Sequence, residues 1–163
     1  MKALKLGTIV TDTASGMDGM LLHHVINQGG SAFYNFQPRG LSPETGAPIK
    51  STWLVPDRIK GGIVEDVDFP LEILGTKAAD KASGFSGAIV SVTRHISGCF
   101  HACLQPYGRL EKTGGMIESE DFDLRRLKGA AIKEMSDSER AADQKKKPSP
   151  ASYGSFLPKS PKF

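Results

Sequence analysis

Apolar residues fall on alternate positions at Ala32, Tyr34 and Phe36, and again at Phe100, Ala102 and Leu104. A period of two marks a strand with one buried face. Ala88, Val90 and Val92 carry the same alternation one strand earlier, opposite Ser91, Thr93 and His95. Several such runs, each parted from the next by glycine-rich turns, predict a mainly β chain.

The pattern is written twice. Sliding the chain by 68 residues sets LGTIVTDTASGMDG (6–19) on LGTKAADKASGFSG (74–87), and the alignment runs without a gap to RIKG (58–61) on RLKG (126–129). Identical residues occupy 19 of the 56 aligned positions. Ordinary composition would give about 3 or 4, so the sequence reads as a tandem duplication.

The shared residues cluster where the chain must turn. In Asp-x-Ala-Ser-Gly-x-x-Gly, Asp12 and Asp80 are suited to bonding their own backbone. Gly16, Gly19, Gly84 and Gly87 are free to take positive φ. A phosphate-cradling role for Ser15-Gly16 and Ser83-Gly84 is not expected, since neither sits between a buried strand and a helix with a Lys-Ser/Thr sequel.

Short strands and tight turns within so few residues predict two tandem small β-barrels of the Src-homology type. The first spans 1–61 and the second 74–129, with a linker at 62–73. A short turn or helix near 53–59 and 122–127 is expected to close each. Units this small bury little core, which favours packing of the two on each other or on neighbours.

Past residue 129 the repeat stops. Residues 130–143 are rich in helix formers and predict a short exposed helix with Ile132 and Met135 on one face. Residues 144–163 hold four prolines and no acidic residue, and predict an extended basic arm. Tyr153, Phe156, Leu157 and Phe163 are its expected anchors on a partner, because aromatic and apolar side chains spaced along an extended peptide bind that way. Lys145, Lys146 and Lys147 add a cationic contact.

Charge refines this picture. The net +3 resides in residues 130–163, which hold seven Lys/Arg against four Asp/Glu, leaving 14 of each sign in 1–129. Residues 1–62 sum to +2 and 63–129 to −2, so neither barrel offers the positive face that phosphate contacts require. Nucleic acid is therefore not expected as a partner, although an intracellular nucleic-acid-associated β-barrel is the alternative reading of a small basic β protein. No run approaches the roughly 20 apolar residues that cross a bilayer, and the first residues hold no signal-peptide core. A soluble protein without membrane contact is expected.

The one stretch that invites chemistry is Cys99-x-His101-x-Cys103. On a strand the cysteine Cα atoms would lie about 13 Å apart, beyond disulfide reach. All three side chains would share one face, but a third ligand at that span stretches any single ion. The aligned residues of the first copy are Ser31, Phe33 and Asn35, so the shared frame demands no ligands. The expectation is a contact-making strand with no bound metal. His23, His24, His95 and His101 have no acidic or nucleophilic neighbour recurring at a matched position in both copies, and Ser15, Ser83 and Cys103 each lack an orienting base that the sequence identifies. No catalytic residue, cofactor or enzymatic activity is expected.

The pattern L-G-T-x-x-x-D-x-A-S-G-[M/F]-x-G, followed in the second copy by Gly98-Cys99 and Gln105-Pro106, resembles a group of small proteins encoded by tailed bacteriophages, most with a single such module. The likeness is stronger over 74–106 than in the first copy, where Met17 and Ser31 replace the usual Phe and Cys. It implies a non-enzymatic virion structural protein, made in the host cytoplasm, that decorates the capsid or joins neck, tail or baseplate parts. Its implied partners are other virion proteins in a multi-copy assembly.

Overall fold

The computed structural model describes residues 1–133, which are mainly β. In chain order the strands are β1 (Lys2–Leu4), β2 (Ile9–Asp12), β3 (Asp18–Asn27), β4 (Ala32–Pro38), β5 (Thr52–Leu54), β6 (Ile59–Lys60), β7 (Val64–Asp66), β8 (Lys77–Asp80), β9 (Ser86–His95), β10 (Phe100–Gln105), β11 (Glu120–Asp123) and β12 (Leu127–Lys128). Single turns of 3₁₀-helix at Pro56–Arg58, Leu71–Ile73 and Leu124–Arg126 complete them.

The elements recur at the 68-residue spacing. In the first module β2, β3, β4 and β5 pair in succession, all antiparallel, and β6 returns to pair with β2. In the second, β8, β9, β10 and β11 do the same and β12 returns to β8. The β3–β4 and β9–β10 hairpins are turned by three residues ending in a left-handed glycine, Gly30 at φ 85° and Gly98 at φ 88°. Asn27 N–H donates to the Ser31 carbonyl and His95 N–H to that of Cys99, both at 2.9 Å. Only glycine takes such a φ without a Cβ clash, which accounts for its presence in both copies.

Neither module closes into the expected barrel. β5 and β6 lie at opposite edges of their module and share no ladder, and the same holds for β11 and β12. The chain crosses from Leu54 to Ile59 through one 3₁₀ turn, so the two edges can be at most about 17 Å apart. The sheet therefore curls strongly yet stays open. A two-residue final strand is spent pairing with β2 or β8 and has nothing left for the other edge.

One alternation also reads differently in the structure. The buried residues of β9 are Gly87, Ile89, Val92 and Arg94, while Ala88 and Val90 are half-exposed. Between Cys103 and Leu104 the register skips Val90, and in the first module it skips Leu22 at the equivalent place. Each skip is a β-bulge, which flips the faces of the strand beyond it and adds twist.

Two apolar clusters follow. Val10, Leu21, Tyr34, Phe36 and Leu54 fill the first module. Ala78, Ile89, Val92, Ala102, Leu104 and Leu127 fill the second, joined by Ile26 of β3 and by Val67, Phe69 and Ile73 from the connecting segment. Residues 62–73 thus act as a lid on the core rather than a free linker, with β7 paired to β1.

The modules join edge to edge. The second half of β3 pairs antiparallel with the second half of β9, His23 to His95, His24 to Arg94, Val25 to Thr93, Ile26 to Val92 and Asn27 to Ser91. Val25 and Thr93 are 68 residues apart, so the seam brings equivalent positions face to face, as in an isologous dimer. Ten strands form one sheet. Of the expected helix over 130–143, residues 130–132 form a turn closed by the Ile132 N–H on the Gly129 carbonyl, with Ala131 and Ile132 packed on the second core. The remainder, and the arm with Lys145, Lys146, Lys147, Tyr153, Phe156, Leu157 and Phe163, lie outside the described residues. No described helix is long and apolar enough to cross a membrane.

Candidate functional site

The residues expected to shape turns divide into two kinds. Asp12 ends β2, and its carboxylate accepts from Ser15 Oγ at 2.6 Å and from Arg58 Nε and Nη2 at 3.0 and 2.7 Å. Asp80 repeats this with Ser83 Oγ at 2.7 Å and Arg126 Nε and Nη2 at 3.0 and 2.8 Å. The bidentate arginine, then Ser15 or Ser83, holds each carboxyl well below the usual carboxylate range. Gly16 and Gly84 take φ of 71° and 77° in the turn. Gly19 and Gly87 lie in strands instead. A Cβ there would strike the carbonyl oxygen of Gln37 or of Gln105, so these two glycines serve close backbone approach. This half of the repeat is structural: two ion pairs tie the strand β2 or β8 to the returning 3₁₀ turn.

The chemistry lies on the outer face of the seam. Register places His23, His95, Cys99, His101 and Asp123 on one side of the sheet, because His23 opposes His95, His101 opposes Thr93 two residues away, and Asp123 opposes His101. The imidazoles of His95 and His101 lie 4.1 Å apart, and those of His23 and His95 4.5 Å. One ligand atom each from Cys99, His101 and Asp123 lies within 4.8 Å of the other two, and all three residues are half-buried. Ser97 Oγ sits 2.9 Å from Cys99 Sγ. Arg125 grips Asp123 through Nε at 3.0 Å, Nη2 at 2.7 Å and its backbone N–H at 2.9 Å.

Burial and the neighbouring imidazole of His101 push His23 and His95 below the ordinary histidine range. Asp123 is held low by Arg125. Cys103, two residues on, points to the same face but stands apart from the trio. It is opposed by Ser91 and Asp121, and burial raises its thiol. The sequence pattern therefore named two of the three convergent residues. Asp123 comes from a strand 22 residues beyond His101, and no spacing rule along the chain announces it.

A second surface feature is the long loop after β4 and β10. Each is tied at its base by the glutamine of Gln-Pro, Gln37 Nε2 donating to the Ile49 carbonyl at 2.6 Å and Gln105 Nε2 to that of Ile117 at 2.9 Å. The isolated bridges Leu41 to Pro48 and Arg109 to Met116 repeat at the same offset. On this common frame the second loop exposes Tyr107, Leu110 and Met116, where the first has Arg39, Ser42 and Pro48. Met116 is 75% exposed. Set against known proteins, the chain matches no protein-family model, no curated protein and no solved structure.

Proposed function

We propose that the protein is a non-enzymatic structural component of a bacteriophage virion, an adaptor or decoration protein whose modules arose by tandem duplication. The observation that carries the docking part is the loop of residues 107–119. It keeps the hydrogen-bonded frame of its counterpart yet presents Tyr107, Leu110 and Met116 to solvent. Large apolar side chains grouped on one exposed loop suit contact with another protein. The phage origin rests on the resemblance carried by the turn motif and Gly98-Cys99. The residues of the expected C-terminal arm supply the second anchor through Tyr153, Phe156, Leu157 and Phe163.

Mass spectrometry of purified particles tests the reading, with the protein expected at stoichiometric level among virion components. Truncation after Asp143 should leave a folded protein that no longer enters particles. Normal incorporation of that truncated protein would remove the arm from the account. Absence of the full chain from particles, together with salt-dependent DNA or RNA binding, would replace the virion reading with the nucleic-acid one.

A further inference from the structure

We propose that Cys99, His101 and Asp123 form a binding site for a zinc-class divalent cation, independent of any virion role. A thiolate, an imidazole and a carboxylate are the donor set that Zn²⁺ or Co²⁺ takes, and a thiolate-imidazole pair disfavours Mg²⁺ and Ca²⁺. With Cys99 ionised the trio carries two negative charges, the one on Asp123 shared with the Arg125 guanidinium. Tetrahedral bonds of about 2.0–2.3 Å need donor atoms roughly 3.5 Å apart. The observed limit of 4.8 Å therefore calls for about 1 Å of closure, which side-chain rotation supplies.

Three further observations support a built site. The hairpin geometry fixes Cys99 at the mouth of a glycine turn, where His95 N–H bonds the Cys99 carbonyl. Asp123 is oriented by three bonds from Arg125, as outer partners orient metal-bound carboxylates. A carboxylate has about four acceptor sites, so those bonds fix it without exhausting it. The equivalent positions in the first module are Ser31, Phe33 and Val55, so the donor set belongs to the second module alone. A fourth position is left for water. Binding displaces the Cys99 thiol proton to solvent and clips the β9–β10 turn to β11.

Titration of the reduced full-length chain with Co²⁺ tests this. A thiolate-to-cobalt charge-transfer band saturating at one equivalent is expected, displaced by Zn²⁺, with Zn²⁺ also raising the melting temperature. Cys99→Ser should abolish the band and weaken Zn²⁺ binding at least 100-fold or so, beyond the loss typical of an outer-shell change. That variant should fold, since the first module carries Ser31 at the same place. Asp123→Asn should weaken binding while keeping the bond to the Arg125 backbone, and Cys103→Ser should leave the band intact. No band from the unaltered chain, a band that survives Cys99→Ser, or one lost in Cys103→Ser would overturn the assignment.

Discussion

At the level of single residues, two kinds of buried polar group set how the fold responds to acid. His24 is 2% exposed, stacked on Tyr34 at 4.1 Å and capped edge-on by Phe69, and its Nδ1 has no hydrogen-bond partner. Burial, then the Arg94 guanidinium across the seam, lowers its pKa from 6.5 to about 4. The unfolded chain binds a proton below pH 6.5 that the folded chain refuses until about 4, so stability falls as pH drops through that window. The loss reaches about 3 kcal/mol by its lower end. Replacing His24 by Phe, which keeps the stack, should lessen the fall of urea-derived stability between those pH values, leaving the part due to His23 and His95, which burial also holds low. An unchanged slope there would show that other groups dominate.

Asp12 and Asp80 act in a separate window. Their lowered pKa values give stability that is full above the unfolded carboxylate range, near pH 4, and lost on further acidification. Asp80→Asn should keep the turn bond to Ser83 but orphan the Arg126 fork, lowering the melting temperature by roughly 5 °C or more. An Arg126→Met partner change should not add its full effect to that loss, because both remove one ion pair.

At the level of elements, the turn glycines separate into those needed for conformation and those needed for space. Gly16→Ala meets no atom within 4 Å but holds φ at 71°, so it should cost about 1 kcal/mol. Gly87→Ala meets only backbone, the Gln105 carbonyl and Pro106 nitrogen, and should cost about 3 kcal/mol or more, since a strand pair must part. Equal denaturation midpoints for the two variants would contradict the distinction. The sequence showed that both positions matter but not why they differ. A repeated glycine looks the same whether it supplies positive φ or lets two strands touch. Alternation located β4 and β10 well, because Tyr34, Phe36, Ala102 and Leu104 face the cores. It misassigned Ala88 and Val90, because a single extra residue at the bulge inverts every face after it. Barrel closure is not legible in the sequence for a related reason. Pairing at the edges depends on the last two or three residues of each module, which carry too little pattern to read.

At the level of the whole molecule, the seam decides whether two modules behave as one. Nothing local in β3 or β9 says that these strands pair with each other, since long-range pairing leaves no periodic trace. Its consequence is measurable. Ile26 belongs to the first module by sequence but is 5% exposed within the core of the second, opposite Val92. Arg94 of the second module reaches back to the Leu4 carbonyl at 2.9 Å and to Glu65 at 2.6 Å. Neither module can open without stripping partners from the other, so residues 1–132 should unfold in one cooperative step. Trp53 fluorescence reports on the first module and amide exchange across β10 on the second. Their denaturation midpoints should coincide. Ile26→Ala should shift both by the same amount, a loss of about 2–4 kcal/mol for a buried isoleucine. Two separated midpoints, or a shift confined to the Trp53 signal, would mean that the seam joins the sheets without coupling their stability.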